Sequence, residues 1–242
     1  MTNAADKGKK AAAEQAVALV EPGMRLGLGT GSTAEIFVKL LGARAKREKL
    51  ELVCAPTSIR TGELAESVGL KLATLNELGW LDLTVDGADE IDPELRLIKG
   101  GGGALLVEKI VAAASNEMVV IADSSKKVER LGAFPLPIEV VKFGWRNTAA
   151  LIEQTFEEFG CRPVEGQLRM LRGAPFLTDE GHYILDYPLE SIPDPDELAI
   201  FLPTIPGVVD SGLFIDYATR ALIGAPDGSV ELLALDDEED ED

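Results

Sequence analysis

With 242 residues, 46% of them hydrophobic and 27% charged, the chain has length for one large α/β domain or two smaller ones, and it is too apolar for wholesale disorder or a collagen-like repeat. Its 23 Lys and Arg against 42 Asp and Glu leave a formal charge of -19, which argues against nucleic acid and membrane lipid as partners. Two distant cysteines, Cys54 and Cys161, and one histidine, His182, offer no metal-ligand spacing, and no apolar run approaches a membrane span; a soluble cytoplasmic protein with reduced thiols and no metal is expected.

In chain order, the apolar spacing predicts an alanine-rich amphipathic helix over 6–20, stopped by Pro22-Gly23. A strand over 24–28 then runs into Gly29-Thr30-Gly31-Ser32-Thr33, followed by a helix over 34–46. Residues 50–55 read as strand, 59–68 as helix, and 81–85 as a buried strand that ends at Asp86-Gly87-Ala88-Asp89. A short strand over 96–99 enters Gly100-Gly101-Gly102-Gly103, a helix covers 104–115, and 118–122 is a strongly apolar strand. Such alternation implies an α/β fold with a largely parallel sheet covered on both faces, whose ligand loops leave the carboxyl ends of the strands.

Beyond Arg130 the pattern changes to that of a small α+β unit. An extended run opens at Pro135-Leu136-Pro137, a helix is expected over 147–159, and shorter strands at 168–171 and 183–187. Prolines 188, 193, 195, 203 and 206 punctuate its end, and new extended segments begin at Gly207. Residues 221–225 and 230–235 flank Pro226-Asp227-Gly228 as a hairpin. The last seven residues, 236–242, are all acidic and are expected to remain a solvated, disordered tail.

The loop chemistry narrows the function. Gly29 to Thr33 places glycine backbone and hydroxyls at a helix start, which suits a phosphate or, equally, a capped turn. The segment lacks the third glycine of a dinucleotide fingerprint and the lysine of a Walker loop, so neither NAD nor ATP is favoured. Asp86 and Asp89, three apart, could share one cleft or simply form a turn. Lys99 precedes four consecutive glycines, a costly run that makes sense where backbone must approach another group closely. Glu108 follows early in the next helix, and Lys126 follows Asp123-Ser124-Ser125 at another strand end. Brought to one rim, these groups suit acid–base chemistry on a small phosphorylated compound better than hydride transfer.

These blocks resemble the type A ribose-5-phosphate isomerases. Gly27-Leu28-Gly29-Thr30-Gly31-Ser32-Thr33, Val85 to Ile91 (Val-Asp-Gly-Ala-Asp-Glu-Ile), Ile98-Lys99-Gly100-Gly101-Gly102, Glu108-Lys109-Ile110, Asp123-Ser124-Ser125-Lys126 and the run from Phe134 to Val140 look like that family's motifs, in the same order. The resemblance implies reversible isomerisation of ribose 5-phosphate and ribulose 5-phosphate in the pentose phosphate pathway, through a cis-enediolate and without a cofactor. It implies Glu108 as proton-transfer base, with Asp86, Asp89 and Lys99 as the other catalytic groups. Thr30, Gly31, Ser32, Thr33, Asp86, Gly87, Ala88, Asp89, Lys99, Gly100, Gly101, Gly102 and Lys126 would bind substrate, with Lys9 a further candidate at the phosphate.

The same resemblance implies a Rossmann-like domain of residues 1–130 and 207–235, a ferredoxin-like domain of residues 131–206, and a homodimer or homotetramer. Alternatives are a non-enzymatic sugar-phosphate-sensing domain and an isomerase or deaminase for another sugar phosphate. Residues 1–130 carry 17 Lys and Arg against 19 Asp and Glu, so the segment holding the site is nearly neutral despite the charge of the whole chain.

Overall fold

A computed structural model describes residues 4–235; the acidic stretch 236–242 lies outside the described residues. The first half alternates as expected: α1 (Ala4–Ala18), β1 (Arg25–Leu28), α2 (Ser32–Glu48), β2 (Val53–Pro56), α3 (Ile59–Ser67), β3 (Lys71–Leu72), α4 (Leu75–Leu78) and β4 (Leu83–Asp86). Two short strands, β5 (Glu90–Ile91) and β6 (Leu97–Ile98), precede α5 (Leu105–Ala113) and β7 (Met118–Asp123), which ends in a 3-10 turn at Ser124–Lys126. The short α4 escapes helical periodicity, because one turn has none. Local chemistry holds it instead: Thr74 and Glu77 form a reciprocal capping box.

The second half comprises β8 (Leu136–Val140), α6 (Trp145–Glu158), β9 (Gln167–Leu168), β10 (Met170–Leu171), β11 (Ala174–Pro175), β12 (Tyr183–Tyr187), α7 (Pro195–Phe201), β13 (Val208–Ser211), β14 (Leu213–Phe214), β15 (Arg220–Gly224) and β16 (Val230–Ala234). Asp194 caps α7 by accepting from the Glu197 N–H at 3.0 Å, and Pro195 opens that helix, where its missing N–H costs nothing.

The central sheet has the order β16-β15-β7-β4-β1-β2-β3, parallel throughout except for the β15–β16 hairpin. Alternating side chains of β7 face opposite layers. Val119 and Ile121 join Ala12, Ala16, Phe37 and Leu41 under α1 and α2, whereas Met118, Val120 and Ala122 join Leu105 and Ala112 of α5. Each such large apolar side chain, fully buried, contributes about 1.5–3 kcal/mol. The strand order reverses between β1 and β4, and the loops leaving these two neighbours open the crevice where α/β sheets take ligands.

A second, antiparallel sheet of order β13-β8-β12-β9 packs α6 and α7 through Ile138, Ile152, Phe156, Leu185, Tyr187 and Leu198. Its strands extend past residue 206, since Val208–Ser211 pairs with β8 before the chain returns to the main sheet. The small sheet β14-β6-β5 lies at that passage, and there the Lys99 N–H donates to the Gly212 carbonyl at 2.9 Å. Among the described residues, no helix is long and apolar enough to cross a membrane.

Candidate active site

The loops after β1 and β4 are sewn together by Asp86, the last residue of β4. Its Oδ1 accepts from the Thr30 N–H at 3.0 Å and the Gly87 N–H at 2.7 Å. Gly29 packs so closely on this carboxylate that any Cβ there would collide with it, which explains a glycine whose φ is not unusual. Asp86 Oδ2 lies 3.1 Å from Lys99 Nζ. The same ammonium stands 3.1 Å from Glu108 Oε1 and donates to the Gly87 carbonyl. Two hydrogen bonds, to Glu108 and to the Gly87 carbonyl, and one ion pair, to Asp86, thus converge on the ammonium.

The buried triad holds two carboxylates and one ammonium at exposures of 0% for Asp86, 2% for Lys99 and 4% for Glu108. Burial is the largest influence on all three. It pushes the Glu108 carboxyl up to about 8 against the opposing pull of Lys99, with a further upward push from the Asp86 charge. It also raises Asp86, which Lys99 and two backbone N–H groups only partly offset. For Lys99, burial opposes the charge, but the neighbouring carboxylates of Asp86 and Glu108 outweigh it and hold the ammonium above its ordinary range. Glu108 Oε2 is buried and has no hydrogen-bond partner among the described residues.

Above the triad opens a cavity of about 130 Å³. Thr30, Gly31, Ser32 and Thr33 line it from the start of α2; Gly87, Ala88 and Asp89 from the loop after β4; Lys99, Gly100 and Gly102 from the glycine run; then Glu108 and Lys126. Lys9 of α1 joins them, its Nζ 3.0 Å from Ser32 Oγ. Two expected binding residues do not line the cavity. Asp86 lies behind Lys99, and Gly101 turns its N–H onto Asp89 Oδ2 at 2.7 Å.

The Thr30 hydroxyl, read from sequence as a phosphate donor, lies within hydrogen-bond distance of Thr57 and Ser58, both at 2.8 Å, and Thr61 at 3.1 Å. That cluster follows the carboxyl end of β2, the strand beside β1, and sequence reading passed it over because hydroxyls after a strand are ordinary turn residues. The free anion donors are the first N–H groups of α2, since the first bond within that helix runs from Glu35 to the Gly31 carbonyl. Lys9, beside Ser32, adds a cation at this end, whose chemistry suits an anion, and Glu108 and Lys126 line the same cavity.

Residues 53–228 match the ribose 5-phosphate isomerase A (phosphoriboisomerase A) family. A ribose-5-phosphate isomerase A from Ruegeria sp. (strain TM1040) is 55% identical over 227 residues, covering 94% of this chain and 87% of that protein. One from Cereibacter sphaeroides (strain ATCC 17023) is 53% identical over 230 residues, 95% of this chain and 88% of its own. Among solved structures, a D-ribose-5-phosphate isomerase in complex with phospho-erythronic acid superposes with a TM-score of 0.88 at 38% identity, over 96% of this chain and all of the other. The ribose 5-phosphate isomerase A of Methanocaldococcus jannaschii gives 0.85 at 39% identity, over 93% and 97% of the two chains.

Proposed function

This chain belongs to the ribose 5-phosphate isomerase A family, and from that premise we propose that Glu108 is the base that moves the proton in its reaction. The protein is an aldose–ketose isomerase that interconverts ribose 5-phosphate and ribulose 5-phosphate within the pentose phosphate pathway. One observation carries the assignment of the base: at the cavity, Glu108 keeps one carboxylate oxygen paired to Lys99 and the other, Oε2, without a hydrogen-bond partner among the described residues. Oε2 takes the proton from C2 of the open-chain aldose and returns it to C1, while the hydroxyl proton passes from O2 to O1. A carboxyl raised to about 8 holds a proton between these two steps better than an ordinary one.

The enediolate formed between those transfers carries negative charge on O1 and O2, which the nearby, buried Lys99 ammonium stabilises. Asp89 is the second carboxylate at the cavity, and we assign it the proton transfer of ring opening. Asp86 acts through Lys99 as a positioning residue, because it lies behind the ammonium and is fully buried. The substrate phosphate sits at the start of α2 between Lys9 and Lys126. A pure sensing domain would have no use for the free Glu108 oxygen.

The test is formation of ribulose 5-phosphate by the purified protein with a chelator present, run beside free ribose and several hexose phosphates. Turnover confined to ribose 5-phosphate supports the reading, and turnover of a hexose phosphate at equal kcat/KM would contradict it. We further infer a homo-oligomer of two or four copies in the cytoplasm. Exposed apolar side chains such as Ile59, Ile110 and Leu177 support association, and light scattering on the purified protein tests it.

A further inference from the structure

We propose that Arg169, from the smaller sheet's domain, is a positioning residue that fixes the glycine run so that the Gly102 N–H serves the substrate oxygens. The inference rests on the isomerase reading above. Arg169 lies between β9 and β10, and its guanidinium is gripped by Asp186 of β12, with Nε 2.9 Å from Oδ2 and Nη2 paired to Oδ1. This two-point pairing orients the remaining arm of the fork. That arm, Nη1, donates to the Gly100 carbonyl at 2.7 Å and approaches the Gly101 carbonyl at 3.3 Å.

The glycine run is thus held from three directions. The Gly101 N–H is bound by Asp89, the Gly103 N–H closes a turn onto the Gly100 carbonyl at 3.0 Å, and Arg169 draws on both carbonyls from outside. The peptide whose carbonyl belongs to Gly101 carries the N–H of Gly102. Gly102 lines the cavity, and its N–H has no acceptor among the described residues. A cation at the carbonyl end of a peptide polarises its N–H end, which makes that group a stronger donor to a developing oxyanion. Free in solution, four glycines would sample many conformations; a donor useful in the transition state must be set beforehand.

Phe176 completes the clamp. The Arg169 guanidinium lies 5.9 Å from the centroid of its ring, and the ring packs so tightly on Gly103 that a Cβ there would collide with it. Gly103 also has φ of 83°, in the left-handed region, so both space and conformation require glycine. Arg169 therefore acts on chemistry from a different domain than the base.

The experiment compares Arg169→Ala and Arg169→Lys with the parent protein for kcat and KM on ribose 5-phosphate, for phospho-erythronic acid binding by calorimetry, and for hydrogen exchange of the segment 99–104. The Ala variant is expected to lose roughly 10–100-fold in kcat with KM changed less than about threefold, because the lost interaction matters most in the transition state. Exchange in the segment should quicken. Millimolar guanidinium should restore part of the lost kcat, and Lys should rescue poorly because an ammonium cannot form the fork.

A kcat within twofold of the parent, or unchanged exchange in the segment, overturns the proposal. If the Ala variant does not fold, the Lys variant decides: parental kcat overturns the proposal, and a loss of tenfold or more with unchanged melting temperature supports it. Failure of the parent protein to isomerise ribose 5-phosphate strikes the isomerase reading instead, and the exchange comparison then judges Arg169 by itself.

Discussion

The Lys99 ammonium stands 3.1 Å from Glu108 Oε1, both groups almost wholly buried, and the second Glu108 oxygen has no hydrogen-bond partner among the described residues. A carboxylate bound at one oxygen is fixed in orientation and still basic at the other. The same ammonium is held by Asp86 from behind, so the spacing of the three side chains is set by β4, β6 and the first turn of α5 rather than by mobile loops.

This arrangement makes activity depend on pH with a defined sign. Glu108 must be ionised to accept a proton, and burial holds it at about 8, so kcat/KM is expected to rise with pH and level off above that value. The inflection belongs to the coupled triad rather than to one residue. Removing the Asp86 charge takes away an upward push on Glu108; in Asp86→Asn the rising limb should therefore move by about one pH unit toward acid. A pH–rate profile of the two proteins checks this, and an unmoved limb would separate Asp86 from Glu108.

Stability follows the opposite course. The Glu108 carboxyl is raised in the folded protein above its ordinary 4.5, so the folded state holds a proton that the unfolded chain releases as pH climbs through that value. The stabilisation is fully present below 4.5 and lost as pH rises through about 8. Glu108→Gln cannot ionise and should lose less melting temperature than the parent between pH 5 and pH 9. Parallel melting curves across that interval, measured by calorimetry, would count against a buried carboxyl that resists ionisation.

Lys9 and Lys126 both line the cavity, and Lys9 Nζ lies 3.0 Å from Ser32 Oγ at the start of α2. Replacing either by Met should raise KM for ribose 5-phosphate by about tenfold, equal to some 1.4 kcal/mol, with kcat changed far less. Binding of inorganic phosphate, measured by calorimetry, should weaken in step. A variant that lowers kcat while leaving KM untouched would place that lysine at the reacting carbons instead.

Much of this site could be read in the chain because its parts sit where periodic strands end. The β1 loop, Asp86 and Asp89 after β4, the glycine run after β6 and Lys126 after β7 are each announced by an apolar strand that stops at Gly, Asp or Ser. The sequence places Glu108 early in a helix, and the structure puts it in the first turn of α5. Sequence order did not separate the residues that line the cavity from those that support it. Asp86 and Asp89 look alike as letters three apart, and only the fold puts one behind Lys99 and the other at the cavity.

The residues left out share a physical cause. Asp186 lies in β12, Arg169 between β9 and β10, and Phe176 just after β11; Arg169 and Phe176 reach the glycine run across the chain, a contact that no local pattern signals. The passage at Gly207 is similar: the prolines at 203 and 206 mark a break, but whether the following strand joins the near sheet or the far one depends on pairing with β8. Single-turn elements such as α4 are set by capping, which periodicity does not detect.

The most direct measurement of the central claim is the turnover of ribose 5-phosphate by Glu108→Gln beside its affinity for phospho-erythronic acid. Amide for carboxylate keeps the shape and the Lys99 contact but removes the proton acceptor. The expected result is a kcat lower by about 1,000-fold or more with analogue affinity within about fivefold of the parent. A kcat within about tenfold of the parent would contradict Glu108 as the base.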